Sequence, residues 1–252
     1  MSRSVRSSGK ADPAQAYRCG LVPLRPAAIL TESVPVRIWD LPTRVFHALL
    51  AALVTAAIVT AEIGDGWMPW HLRCGEAVLA LLAFRWIWGF AGGRWSRFAS
   101  FLPAPAGVAR ALRGRAADAE RIGHNALGAL SVWAFLVLLS VQVATGLVAD
   151  DEVDTTGPLN AHVGTRLAKR ASHWHAGWGA WLIFALIALH LLALAWYTWR
   201  KREPLLRAMW RGDKPLPPDT PASRDDGASR LLALVIAAAA AGAVWGLVRW
   251  AG

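Results

Sequence analysis

The sequence predicts an all-α integral membrane protein, built as a four-helix bundle with an additional C-terminal transmembrane helix. Three observations carry that prediction. The chain of 252 residues is 55% hydrophobic and holds 15 Trp, and its mean hydropathy of +0.35 is too apolar for an ordinary soluble domain of this length. Five apolar runs, at 43–63, 71–91, 126–149, 174–199 and 229–249, each come close to the roughly 20 residues that a bilayer core requires. The basic residues gather in alternate connections between those runs, as they do in membrane proteins with a fixed orientation.

Taken in order, residues 1–35 are rich in Arg, Ser, Pro and Ala without any period and read as a mobile cytoplasmic tail. The apolar run nearest the start begins only in the forties, too far along for a cleaved secretory signal, so it reads as a retained span. Its entry is Trp39, Asp40, Leu41, Pro42 and Thr43, with Asp40 placed as an N-cap and Pro42 in the first turn. Residues 36–212 form the four-helix membrane domain. The stretch 213–228, containing Pro and Asp, is a linker, and 229–252 is the extra helix, rich in Ala and Gly and without His. A helix lying on the membrane surface is its lesser alternative.

The net charge of +10 follows from loops and not from a nucleic-acid-binding face. Arg3, Arg6, Lys10, Arg18, Arg25, Arg37 and Arg44 precede or open the first span. Arg94, Arg97, Arg110, Arg113, Arg115 and Arg121 lie between spans two and three, and Arg200, Lys201, Arg202, Arg207, Arg211 and Lys214 follow span four. All fall on one side if the spans alternate. The other side carries Glu62, Asp65, Asp150, Asp151, Glu152 and Asp154, tempered by Arg166, Lys169 and Arg170. The positive-inside rule then places the N-terminus in the cytoplasm and the acidic loops outside. Cys19 and Cys74 are too few and too scattered for a disulfide framework or a zinc knuckle, and no CxxCH motif for covalent haem attachment occurs.

Four of the seven histidines, His47, His71, His175 and His190, lie inside or at the rim of apolar runs. An imidazole in hydrocarbon is costly unless it faces the interior and has a partner. His71 and His175 open spans two and four at the outer face, whereas His47 and His190 lie towards the cytoplasmic face. On one straight helix His175 and His190 are separated by about 22 Å along the axis and about 60° around it, so one face presents both. His47 can then meet His190, and His71 can meet His175, each pair bridging two helices across a flat ring of porphyrin size. Two bis-histidine b haems stacked across the bilayer follow, with haem iron as the metal. Two imidazoles leave no open coordination position, which suits electron transfer.

Other polar and small residues admit more than one reading. Gly75, Gly128, Gly146, Gly177 and Gly179 let a macrocycle approach the backbone, and equally serve plain helix packing. Arg85 lies fourteen residues below His71 on nearly the same face. It is a candidate for contact with a haem propionate or a quinone headgroup, as is His124, with snorkelling to lipid phosphate the alternative for Arg85. His162 and His173 read as interfacial rim residues, but His173 competes with His175 for the outer layer, although it stands about 100° from His190 on a straight helix. The Trp residues at span ends read as interface anchors.

The chain resembles the bacterial cytochrome b561 family, which includes the b-type cytochrome subunits of nickel hydrogenases. The resemblance covers about 36–212. It is carried by the run Val36 to His47, by His71, Leu72, Arg73, Cys74 and Gly75 with Phe84 and Arg85 downstream, by the run Gly123 to Leu130, by Thr145, Gly146 and Leu147, and by Ala188, Leu189 and His190. It implies a four-helix core with two b haems, ligand positions at the four histidines, and electron exchange with the quinone pool and a partner redox protein. Departures exist: Ala48 stands where the family often has Trp, and Glu76 where it has an aromatic residue. The family's span-four pair is usually about fourteen residues apart, so either that helix absorbs an extra residue in a local bulge or His173 replaces His175.

The leading expectation is a membrane diheme cytochrome b that transfers electrons between the quinone pool and a partner in a respiratory chain. The partner is a periplasmic c-type cytochrome or a dehydrogenase or hydrogenase subunit. An outer-face superoxide:quinone oxidoreductase is the alternative, and a haem-free metal-ion permease the less favoured one.

Overall fold

The computed structural model describes residues 33–113, 122–150 and 155–251. The N-terminal tail up to residue 32, the loop arginines 115 and 121, and the acidic run Asp151, Glu152 and Asp154 lie outside the described residues. Among the described residues, five helices are long and apolar enough to cross a membrane. They are α1 (Leu41–Ile63), α2 (Met68–Ala91), α4 (Ala126–Gly146), the continuous 165–199 segment, and α8 (Gly227–Ala251). That segment consists of α5 (Thr165–His173), a π-helical turn at Trp174–Trp178, and α6 (Gly179–Trp199). Two short helices, α3 (Pro105–Leu112) and α7 (Leu205–Arg211), lie at the end where α1 begins.

The bundle packs with α1 against α2, and α4 against α2 and α6. Its core contains Phe46, Leu82, Phe84, Trp88, Leu136, Leu139 and Ile183. Leu189, Leu191 and Leu192 are exposed, as side chains facing acyl chains must be. The additional span α8 packs along α2 and touches α1.

Arg166, Lys169 and Arg170, read from the sequence as loop, instead form the exposed face of α5. Ala168 and Ala171 on the opposite face are buried, so the amphipathic stretch continues the helix beyond its purely apolar run. The third span ends at Gly146 and not at residue 149. The carbonyls of residues 147–149 just beyond it are taken up by the following loop: Leu159 N donates to Leu147 O (2.8 Å), Gly157 N to Ala149 O (2.8 Å), and the Asn160 amide to Val148 O (2.9 Å).

A short antiparallel pair of strands was not foreseen. Strand β1 (Val34–Arg37) pairs with β2 (Asp213–Leu216), so the approach to the first span is joined to the linker after α7. Gly212, at φ +91°, ends α7 in the left-handed region, and its carbonyl accepts from Ile38 N (2.9 Å) and Trp39 N (3.0 Å). A Cβ there would stand 2.7 Å from Trp39 O. Arg37 bonds Asp213 (2.8 Å) and Asp225 (3.1 Å), while Ser223 N donates to Arg37 O (2.7 Å).

Asp40 organises this end. It caps α1 through Thr43 N (2.8 Å), as the sequence predicts, and is fully buried. The same carboxyl group accepts from the Trp88 indole (3.3 Å), Gly93 N (3.1 Å) and Ser96 Oγ (2.6 Å), which joins the start of α1 to the end of α2. Asp40→Ala would leave three further donors without an acceptor and should cost about 3–5 kcal/mol. Asp226→Ala, at the exposed cap of α8 where Ser229 N donates to Asp226 Oδ1 (2.7 Å), should cost about 1 kcal/mol. Thermal unfolding of the two variants in detergent should therefore differ clearly in midpoint.

Candidate functional site: a histidine pair and a buried basic cluster

At the end of the bundle where α2 begins, the rings of His71 and His175 stand 5.9 Å apart, edge to face. Each is anchored through the same atom. His71 Nδ1 bonds the Ala57 carbonyl of α1 (2.9 Å), and His175 Nδ1 bonds the Gln142 carbonyl of α4 (2.8 Å). A carbonyl only accepts, so the proton sits on Nδ1 and, in the neutral ring, each Nε2 keeps its lone pair. This is the arrangement in which a backbone carbonyl fixes the tautomer of a metal-ligating imidazole.

The pair lines a cavity of about 440 Å³ with a mostly aliphatic wall, within the span of about 300–1,000 Å³ usual for cofactor sites. Two glycines shape it. A Cβ on Gly75, one turn after His71, would meet nothing within 4 Å, leaving room for a flat ring, whereas a Cβ on Gly146 would stand 2.6 Å from His175 Cε1. Donor chemistry and shape both fit a b-type haem.

The π-helical turn at Trp174–Trp178 seats His175. Gly177 within it has φ −105° and ψ −108°, outside the helical region, so the segment absorbs an extra residue at the place where the spacing of His175 and His190 calls for one. The turn disturbs the hydrogen-bond ladder, and the side-chain amide of Gln142 donates to the His175 carbonyl (2.8 Å). Gln142 thus holds both the ring and the backbone of His175. His173, the competing residue, is exposed.

Towards the other end, His47 of α1 and His190 of α6 lie within electrostatic reach of each other. His190 meets Phe135 of α4 edge to face at 5.6 Å, and next to His47 the buried Phe46 stacks near Phe84 at 6.3 Å. His71 and His175 thus meet at one end of the bundle, His47 and His190 lie towards the other, and the continuous 165–199 segment carries both His175 and His190.

Beyond the inner layer lies a basic cluster. Arg85 is buried; its Nη2 donates to Ser96 O (3.1 Å), its guanidinium covers Phe98 (4.9 Å) and Phe101 (5.8 Å), and Nη1 has no partner among the described residues. This overturns lipid snorkelling as its role, since the side chain is turned into the protein. His124 is sandwiched between Trp39 (4.5 Å) and Phe101 (4.4 Å), and its buried Nδ1 also lacks a partner among the described residues. Lys214 Nζ donates to the Ile122 (3.2 Å) and Gly123 (3.3 Å) carbonyls beside it. Burial first, then the charges of Arg85 and Lys214, push the His124 imidazole down to about 3. His162 stacks against Trp250 at 4.6 Å, at the end away from Arg85.

A bundle of membrane-crossing helices with carbonyl-anchored imidazoles facing one another in an apolar cavity defines a membrane cytochrome of the b type. Residues 38–212 match the family model of prokaryotic cytochrome b561, and the chain belongs to that family. It is thus a haem-b-binding, lipid-embedded electron-transfer protein. No curated protein and no solved structure matches the chain significantly.

His124 yields a prediction with a definite sign. Its ordinary value is 6.5 and its folded value about 3, so between these the unfolded chain binds more protons and stability falls as pH falls. His124→Phe, which keeps a ring between Trp39 and Phe101, should lose about 2 kcal/mol less than the parent between about pH 7 and about pH 5. Unfolding midpoints at the two pH values measure the difference.

Proposed function

We propose that the protein is a diheme cytochrome b of the bacterial plasma membrane that carries electrons between the quinone pool and a partner redox protein of a respiratory chain. In this reading His71 and His175 ligate the haem iron of one layer, and His47 and His190 that of the other. The observation that supports it best is the His71–His175 pair, whose Nδ1 atoms are both spent on carbonyls and whose rings face each other at 5.9 Å. Bound there, haem supplies one-electron redox chemistry, and two imidazole ligands leave it no open position for oxygen.

The chain's own residues do the rest. Ala57 and Gln142 orient the rings through their carbonyls, and the aliphatic cavity wall keeps water from the centre. Towards the other face, Arg85 Nη1 and His124 Nδ1, without partners among the described residues, offer a guanidinium and, in the tautomer protonated at Nδ1, a ring N–H to a haem propionate or to a quinone carbonyl. In this reading that end, with the N-terminus, faces the cytoplasm, which the basic connections support. A periplasmic c-type cytochrome or a dehydrogenase or hydrogenase subunit would exchange electrons at the opposite face.

A pyridine haemochrome assay on the purified chain should find two b haems, both reducible by a quinol. His190→Ala should retain one haem, and His173→Ala should retain two. Gly146→Leu should lose the His71–His175 haem, because its side chain would enter the space of the His175 ring. One haem in the parent protein, or two in His190→Ala, would overturn the assignment.

A further inference from the structure

The additional span forms a second cavity that has no part in haem ligation. Between α2 and α8, at the end of the bundle that carries the His71–His175 pair, lies a groove of about 490 Å³. Its polar lining consists of Arg73 and Glu76 from α2 and Arg249 from α8, with Trp245 beside them and small side chains such as Ala80 and Ala241 along the rest. Glu76 sits on the wall that this groove shares with the His71–His175 cavity.

The depth of these charges is informative. Arg73 is five residues past Met68, the first residue of α2, or about 7.5 Å along the helix. Arg249 is two residues before Ala251, where α8 ends. Both therefore lie at the level of lipid headgroups and not at the bilayer centre. Each guanidinium rests over an indole, Arg73 at 5.1 Å from the Trp70 ring centre and Arg249 at 5.5 Å from that of Trp245. Stacking of this kind holds the cation in place while leaving its N–H edge available. Among the described residues, Arg73, Arg249 and Glu76 have no ion-pair or hydrogen-bond partner. Glu76, three residues further along α2, lies about 4.5 Å deeper than Arg73, and three charges lining one groove call for a ligand that carries the complementary set.

Two guanidiniums suit a phosphodiester, which accepts from several N–H groups at once. One carboxylate suits a primary ammonium. The alanine-lined floor continuing into the membrane leaves space for an acyl chain beside α2 and α8. We propose that this groove binds one zwitterionic phospholipid with a phosphoethanolamine head, its phosphate held by Arg73 and Arg249 and its ammonium by Glu76. α8 then acts as one wall of a lipid site fastened to the haem-binding bundle. The net charge of the lining, positive by one, would by itself suit an anionic glycerol headgroup; it is the carboxylate of Glu76 that discriminates, because that headgroup satisfies the two arginines and brings Glu76 no cation.

The test uses the full chain, purified in mild detergent, delipidated, and incubated with equal amounts of phosphatidylethanolamine and phosphatidylglycerol before native mass spectrometry. The parent protein should keep one lipid per chain and prefer phosphatidylethanolamine. The R73Q/R249Q double variant should retain it about tenfold less or weaker still, while R73K/R249K, which keeps both charges, should fall between the two. E76Q should still bind phospholipid but lose the preference between the headgroups. Visible spectra and far-UV circular dichroism identify any variant that has failed to fold, and the competition in the parent protein stands without them. Preference for phosphatidylglycerol or no retained lipid in the parent, undiminished retention in R73Q/R249Q, or an unchanged preference in E76Q would each overturn the proposal.

Discussion

The bond between His175 Nδ1 and the Gln142 carbonyl is the constraint on which the haem-binding end depends. It joins two membrane-crossing segments, and it settles which nitrogen of the ring faces the cavity. Hydrogen bonds to a carbonyl in a lipid-embedded bundle are hard to replace, because no bulk water competes for either partner. Helix backbones normally spend their carbonyls on their own ladder, so accepting from a ring requires the oxygen to take a second donor. Gln142 meets that condition on both sides: its carbonyl takes the ring proton, and its side-chain amide covers the His175 carbonyl within the π-helical turn. Gly146, one turn further along α4, leaves the ring the space it occupies.

The opposite end is organised by a different principle. There the chain must bring the entry of α1, the exit of α2, the end of α7 and the start of α8 together without a long apolar interface. A fully buried carboxyl group joins the first two, with Asp40 taking four donors from the start of α1, the end of α2 and the segment that follows α2. Around it, β1 pairs with β2, and Arg37 links Asp213 and Asp225. These contacts surround the site of Arg85 and His124, whose unpartnered atoms sit behind Phe98, Phe101 and Trp39. A stiff polar frame of this kind keeps a guanidinium and a neutral imidazole in place at the edge of a low-dielectric bundle, where each would otherwise move to water.

Much of this was legible in the residues themselves. The five spans follow from apolar runs of bilayer length, and Asp40 is readable as a cap because a carboxylate just ahead of Leu41 and Pro42 satisfies the first free amides of a helix. Depth along the spans puts His71 and His175 at one level, and their rings stand 5.9 Å apart. Other features were not. The strands β1 and β2 are four residues each and lie far apart in the chain, so no local period announces them. The helical character of residues 165–173 is hidden because only Ala168 and Ala171 mark its buried face. Gln142 carries no signal of its own, since a glutamine in a span gains its role only from the neighbour it meets.

The sequence alone therefore determined class and depth: which segments enter the bilayer, and at what level each histidine lies, because hydrophobic length and helical rise are properties of a single segment. Tertiary structure decided orientation. Whether His175 or His173 turns inward depends on one extra residue taken up at Trp174–Trp178 and on the carbonyl that α4 presents. The choice changes the direction of a ring by about one residue's rotation, roughly 100°, and only the packing of neighbouring helices selects it.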